Sequence, residues 1–207
     1  MKKFVVIFMA VAFVAMTAMV AFAADNPLKA GEKAFHSEVV SWIPKDKHVT
    51  IVQLHAKWQE VLAGKSKAIL LDVRTHPEFD AFHIEGSSHI HAGHMYTIPG
   101  KIKDPNAEIW VYCRTQHRAS YVAGMLYKYG YKNVYYVDKM KTKDGATVTG
   151  GVVGWAAMGY PFVNYFYGQM KITQYMKQGS WSERNCGNYI REFSGQRGEK
   201  CGLKVLK

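Results

Sequence analysis

Three short apolar runs alternate with helical patterns along this chain, and this alternation limits the folds open to it. The runs lie at 68–73, 109–112 and 134–137. Each suits a strand buried on both faces of a sheet. Apolar residues recur at helical spacing at 54–62 and 122–129, and a short final helix is expected at 152–158. The pattern predicts an α/β fold: a doubly wound, mostly parallel sheet with helices on both faces.

The start of the chain has the pattern of an export signal. Residues 4–24 contain a single non-apolar residue, Thr17, and follow two lysines, while 21–23 supply small residues for cleavage. We expect a signal peptide at 1–23 that is cleaved after Ala23. The alternative is an uncleaved anchor, since about 20 apolar residues can span a bilayer. Either way, a periplasmic or secreted location is expected for the rest, with a membrane as partner only if the leader is uncleaved.

The chain is strongly basic, which bears on its partners. Its formal net charge is +11, and removal of the leader would take two lysines and no acids, which leaves +9. The composition excludes intrinsic disorder and a multi-pass membrane protein. No nucleic-acid-binding motif is present, so nucleic acid is not expected as a partner. A small anionic substrate or an acidic redox partner fits the charge better.

The three cysteines are expected to differ in role. In an oxidising compartment one bridge and one free thiol are expected. Cys186 and Cys201 lie close together in a basic, Gly-rich tail and form the predicted bridge. Cys113 would then be the free thiol.

Cys113 stands where a predicted strand ends and a polar loop leads into a helix. Ligands of parallel sheets bind beyond the carboxyl ends of the strands. A tight loop would point backbone N–H groups and the helix start at the sulfur, and Arg114, His117 and Arg118 add positive charge. These effects predict a thiolate with a lowered pKa, of about 3.5–7.5. The alternative is a buried structural cysteine. This alternative is less favoured because two of the next five residues are arginines.

Three groups of motifs follow one another along the chain: 71–74 with Glu78-Phe79 and 83–86, the Cys113 loop, and 137–138 with 150–155 and 159–161. On these motifs the sequence between 50 and 163 resembles the rhodanese family of sulfurtransferases. The resemblance implies that Cys113 is the nucleophile, taking sulfane sulfur from an anionic donor such as thiosulfate or polysulfide. The persulfide formed on Cys113 would pass to cyanide or a thiol. No metal or organic cofactor is implied.

By the same resemblance, the loop after Cys113 would bind the donor through Arg114, Thr115, Gln116, His117 and Arg118. Gln116 departs from the family, which often has a small residue there. One alternative is a non-catalytic sulfur carrier that presents polysulfide to a partner enzyme. Another is a phosphatase or arsenate reductase, but their loop is longer and their arginine falls at the position that Ala119 holds here.

The segments outside the catalytic loop have mainly structural interpretations. The predicted organisation is a leader at 1–23, an N-terminal extension at 24–49, the rhodanese-like domain at 50–163 and a basic C-terminal extension at 164–207. Asp72 and Arg74 are expected to be structural, with Arg74 paired with Glu78. The extension from 164 is expected to pack on the domain with a solvated basic face, the alternative being docking to an acidic redox partner or a membrane surface.

Two further segments leave alternatives open. The histidines His83, His89, His91 and His94 are expected to be solvated, the alternative being a divalent metal site. The insert at 139–149 is expected to be a solvated surface loop, the alternatives being a lid or a docking site for a partner.

Overall fold

A computed structural model describes residues 26–165, 168–172 and 203–205. The predicted leader, the predicted bridge between Cys186 and Cys201 and most of the predicted basic extension lie outside these residues. Two compact units divide the chain, Met1–Glu38 and Val39–Lys207. In the first unit the described residues are helical from Pro27 onward. Among the described residues, no helix combines the length and the apolar character needed to cross a membrane.

The helices of the structure are short, and two of them carry strong N-terminal caps. They are α1 (Pro27–Ser41), α2 (Ile51–Leu62), α3 (His76–Ala81), α4 (Ile98–Lys101), α5 (His117–Lys128) and α6 (Gly151–Ala157). Thr50 and Gln53 form a capping box at the start of α2, and Thr75 and Glu78 form another at the start of α3. In each box the threonine and the later side chain satisfy backbone N–H groups that the helix itself leaves unpaired.

Within the described residues, the strands form one central sheet and two small ones. They are β1 (His48–Val49), β2 (Ile69–Asp72), β3 (Ser88–His89), β4 (Ile109–Tyr112), β5 (Val134–Val137), β6 (Met140–Lys141), β7 (Thr147–Val148), β8 (Phe162–Asn164), β9 (Gly168–Ile172) and β10 (Leu203–Val205). The central sheet has the order β1-β5-β4-β2-β3, and every pair in it is parallel. Strand β1 falls within the segment predicted as an extension, so the sheet already begins at His48.

Side chains of alternate residues in the central strands pack into two separate cores. Leu70 and Trp110 belong to one cluster of buried residues, together with side chains of α2 and α6. Leu71 and Val111 belong to the other, together with side chains of α4 and α5. Because successive side chains of a strand point to opposite faces, the two clusters lie on opposite sides of the sheet. The predicted doubly wound, mostly parallel sheet with helices on both faces is therefore confirmed.

Asp72 and Arg74 form a buried ion pair at the end of β2. The Arg74 side chain donates from Nε and Nη2 to the Asp72 carboxylate at 2.7–3.0 Å, and the Arg74 backbone N–H donates to the same carboxylate at 2.9 Å. The predicted pairing of Arg74 with Glu78 is therefore wrong. Asp72 is two residues away on the same turn, where its carboxylate reaches both the backbone and the side chain of Arg74, whereas Glu78 faces another arginine.

The insert at 139–149 forms a small antiparallel hairpin, and most of its residues are exposed, as expected for a solvated surface segment. Strands β6 and β7 pair within it, and Lys141 and Lys143 are exposed. Its last residue, Thr149, runs directly into α6. The hairpin therefore leads the chain from the end of β5 to Thr149, which lines the cavity described below.

Candidate active site

Cys113 follows directly on β4, at the carboxyl edge of the central sheet. Its thiol is free and only 1% exposed. The backbone N–H groups of Thr115, Arg118 and Ala119 donate to its sulfur, because the loop from Cys113 to the start of α5 wraps around it. The structure thus places a sulfur atom inside a ring of inward-facing backbone donors, which is an arrangement that favours an anion.

The ionisation of Cys113 differs from the sequence-based prediction. Burial raises the pKa of the Cys113 thiol above its ordinary value, although Arg118 and the three backbone donors act to lower it. The predicted lowered pKa is therefore wrong. The physical reason is desolvation: a nearly inaccessible sulfur loses the hydration that would stabilise its charge, and the surrounding donors compensate for only part of that loss.

A cavity of about 540 Å³ opens at the Cys113 loop. Its lining consists of Glu78, Cys113, Arg114, Thr115, Gln116, His117, Arg118 and Thr149. It brings together all six residues that the sequence singled out as catalytic or substrate-binding, and it adds Glu78 and Thr149. The sulfur therefore has a space next to it in which a small substrate fits.

Glu78 and Arg118 form a two-pronged ion pair in the wall of this cavity. Arg118 Nη1 donates to Glu78 Oε2 at 2.7 Å, and Nη2 donates to Oε1 at 2.9 Å. Burial by itself would raise the pKa of Glu78, but hydrogen bonds from Arg118 and Thr75 outweigh it and lower that pKa to about 2. Glu78 is therefore a carboxylate at neutral pH, and it faces the arginine that was expected to receive the donor.

Two polar oxygens of the cavity lining lack a hydrogen-bond partner in the part of the chain that the structure describes. They are Oε1 of Gln116 and Oγ1 of Thr149, and both atoms are buried. A buried polar oxygen without a partner is destabilising. Both atoms are therefore candidates to contact a bound molecule.

The start of α6 holds the Cys113 loop in place. The N–H of Val152 donates to the carbonyl oxygen of Cys113, and the N–H of Val153 donates to that of Arg114, both at 2.9 Å. A Cβ atom at Gly151 would lie 2.1 Å from the Cys113 carbonyl oxygen, and one at Gly150 would lie 2.1 Å from the carbonyl oxygen of Val137. Only glycine permits this close approach of backbone to backbone.

Four histidines gather beside α3. The ring of His76 has centroid distances of 4.7 Å to His89 and 6.3 Å to each of His91 and His94. His83, which the sequence placed with this group, is buried rather than solvated. Its ring stacks on Phe79, which also stacks on His89. Across residues 26–165, 168–172 and 203–205, no group of three or more His, Cys, Asp or Glu side chains is arranged to hold a metal ion.

Glu78 and Thr149 are the lining residues that sequence reasoning did not assign to the site. A signal for Glu78 was present, since Thr75-x-x-Glu78 after a predicted strand is a capping-box pattern that places the carboxylate at the carboxyl edge of the sheet. Thr149 had no such signal, because only the path of the hairpin brings it to the cavity.

Comparisons with known proteins give a family match and several similar solved structures. The family model described as Rhodanese-like domain matches residues 55–157. The solution structure of the rhodanese-like domain from the Anabaena sp. Alr3790 protein is 18% identical, covers 65% of this chain and 86% of its own, and has a TM-score of 0.46. A polysulfide-sulfur transferase homodimer from Wolinella succinogenes is 20% identical, with coverages of 66% and 89% and a TM-score of 0.47.

A rhodanese with anions from E. coli is also 20% identical, covers 47% of this chain and 98% of its own, and has a TM-score of 0.37. A search of curated proteins finds no match. The match of the family model, together with the five-stranded parallel sheet and the cysteine loop at its carboxyl edge, assigns the chain to a family. The chain belongs to the rhodanese-like domain family.

Proposed function

We propose that this protein is a sulfurtransferase that carries sulfane sulfur as a persulfide on Cys113. The observation that supports this most directly is the position of the sulfur: it ends a central parallel strand, accepts three backbone hydrogen bonds and lines an open cavity. Backbone donors of this kind stabilise a negative charge both before and after a sulfur atom is added, because thiolate and persulfide are both anions.

The reaction has two balanced steps. The Cys113 thiolate attacks the outer sulfur of thiosulfate, the sulfur–sulfur bond of thiosulfate breaks, and its electron pair leaves with sulfite. With polysulfide as donor, a polysulfide shorter by one sulfur leaves instead. Cyanide or a thiolate then attacks the terminal sulfur of the persulfide, and the electron pair returns to Cys113, which is again a thiolate. No cofactor takes part in either step.

The residues of the loop have distinct parts in this proposal. The backbone N–H groups of Thr115, Arg118 and Ala119 stabilise the negative charge on the sulfur. Arg114, His117 and Arg118 supply positive charge to an anionic donor, and Gln116 lines the cavity beside it. In the setting that the sequence predicts, this reaction takes place in the periplasm or outside the cell, with an acidic redox partner as a further proposed acceptor.

The proposal is tested with the purified full chain and a Cys113→Ser variant. Thiocyanate formation is measured with thiosulfate or polysulfide as donor and cyanide as acceptor, and mass spectrometry follows the peptide that contains Cys113. We expect turnover by the natural chain, loss of turnover in the variant, and a gain of one sulfur atom on Cys113 after exposure to donor alone. A folded natural chain that gains no sulfur from either donor would overturn the proposal.

The same measurements identify the alternative sulfur carrier. A chain that gains sulfur on Cys113 but releases none to cyanide or to small thiols would be a carrier rather than a thiosulfate-consuming enzyme. The structural observation that favours this alternative is the 1% exposure of Cys113, which limits how a second substrate reaches the sulfur.

A further inference from the structure

The positive charge of Arg118 is paired with the negative charge of the Glu78 carboxylate. Both of its terminal nitrogens donate to the Glu78 carboxylate, at 2.7 and 2.9 Å. Arginine binds carboxylates and other planar oxyanions by this same two-pronged geometry. An oxyanion that enters the cavity therefore meets an arginine whose terminal nitrogens are engaged.

Glu78 is held firmly in this position. The backbone N–H of Thr75 donates to Glu78 Oε2 at 2.9 Å, and the Thr75 hydroxyl donates to the same oxygen at 2.8 Å, within the capping box of α3. The carboxylate thus accepts bonds from two elements, α3 and α5. A pair fixed in this way differs from a surface pair whose side chains move independently.

The rest of the lining is mixed: Arg114 adds positive charge, whereas Gln116 places a buried side-chain oxygen there that can only accept a hydrogen bond. Glu78 brings a full negative charge to the same space. A dianion placed beside the Cys113 thiolate consequently meets more repulsion than a monoanion of similar size.

We propose that Glu78 is a specificity-determining residue, and that its pair with Arg118 makes the pocket favour sulfane-sulfur donors with one negative charge over dianionic thiosulfate. This inference rests on the proposed sulfurtransferase function. The favoured chemical class is the alkanethiosulfonates. Their outer sulfur is attacked by the Cys113 thiolate, the sulfur–sulfur bond breaks, and a sulfinate leaves with the electron pair, so that the same persulfide forms.

The test compares methanethiosulfonate with thiosulfate, two donors that differ in that a methyl group replaces one charged oxygen. We measure kcat/KM for each, with cyanide as acceptor, in the natural chain, in Glu78→Gln and in Glu60→Gln. Glutamine preserves the capping box with Thr75 and removes only the charge. Glu60 is the matched control, because it also pairs with a basic side chain, Lys57 at 2.6 Å, but does not line the cavity.

We expect the natural chain to prefer methanethiosulfonate. In Glu78→Gln the ratio of the two kcat/KM values should move toward thiosulfate by roughly tenfold, mainly through a lower KM for thiosulfate, since Arg118 is released to bind it. Glu60→Gln should leave the ratio unchanged. Equal changes for both donors in Glu78→Gln, or a shift of the same size in Glu60→Gln, would overturn the inference while the proposed function stands.

Two further outcomes are decided without relying on the variant. Thermal unfolding checks whether Glu78→Gln folds. If that variant does not fold, the inference is tested by the donor preference of the natural chain alone. A higher kcat/KM for thiosulfate than for methanethiosulfonate would then contradict it. If the folded natural chain gains sulfur on Cys113 from polysulfide but from neither of these two donors, this inference is overturned while the proposed function stands. If it gains sulfur from none of the three donors, both are overturned.

Discussion

At the scale of single residues, the thiol of Cys113 is subject to two opposing effects. Near-complete burial disfavours the thiolate, whereas three backbone N–H groups and Arg118 favour it. The pairing of Arg118 with Glu78 weakens the second effect, because the positive charge is shared with a carboxylate. The balance raises the pKa of Cys113, so most of the protein carries a neutral thiol at neutral pH.

The reactivity of Cys113 should therefore increase with pH over an alkaline range. Because only the thiolate is alkylated, and its pKa is raised, the rate of alkylation by iodoacetamide should still be rising above about pH 8.5, the ordinary value for cysteine. Peptide mapping by mass spectrometry assigns the rate to Cys113 rather than to the other two cysteines. A rate that reaches its plateau below about pH 7 would contradict the raised pKa.

At the scale of elements, the Cys113 loop depends on α6 as much as on α5. Helix α5 begins inside the loop and supplies donors to the sulfur, while the first turn of α6 donates to the loop carbonyls from behind. Gly151 makes this contact possible, since it has a φ of +74° and leaves no room for a side chain against Cys113. The geometry of the nucleophile is thus set by an element far along the chain.

Gly151→Ala should consequently reduce both stability and sulfur transfer. The substitution adds the strain of a positive φ to a Cβ atom 2.1 Å from the Cys113 carbonyl oxygen. We expect a loss of about 1–3 kcal/mol of unfolding free energy beyond the φ strain alone, together with a large fall in kcat as the loop moves. Urea unfolding and thiocyanate formation measure the two effects.

Gly64→Ala is the matched control for this substitution. Gly64 has a similar φ of +68° but nothing within 4 Å of its Cβ position. It should show only the cost of the left-handed conformation, about 1–2 kcal/mol, with turnover retained. Equal effects of the two substitutions on turnover would contradict the positioning role of Gly151.

At the scale of the whole molecule, the sheet separates two cores that must both form before the site exists. Trp155 of α6 is fully buried in one of them, packs edge to face on Trp58 at 5.4 Å, and donates from its ring nitrogen to the Pro161 carbonyl oxygen at 2.7 Å. The other core contains Cys113 itself and the buried face of α5. Helix α6 therefore links the first core to the loop of the second.

Trp155→Ala should destabilise the Val39–Lys207 unit by about 3–5 kcal/mol, the usual cost of removing a large buried aromatic side chain. Circular dichroism during urea unfolding measures this cost, and alkylation of Cys113 under the same conditions reports the opening of the site. We expect the loss of circular dichroism signal and the onset of Cys113 alkylation to move to lower urea concentration together, because α6 contacts both cores.

Leu62→Ala is the control. The Leu62 side chain is 44% exposed, so this substitution should lower the free energy of unfolding by about 0.5 kcal/mol or less. A variant that opens at Cys113 while its helical signal is unchanged would contradict the link.

The sequence by itself determined the parallel sheet, its alternating helices and the position of Cys113 at a strand end, because period and composition are local properties that each segment carries alone. The cavity lining from 113 to 118 was also predictable, since those residues share one short loop.

Only the tertiary structure determined which charged side chains form ion pairs at the site. It paired Arg118 with Glu78, brought Thr149 to the cavity and buried Cys113 enough to raise its pKa. Partners from separate segments and the loss of solvent around a group depend on how α3, α5 and α6 pack at one edge of the sheet. Neither property can be read from the spacing of residues along a chain.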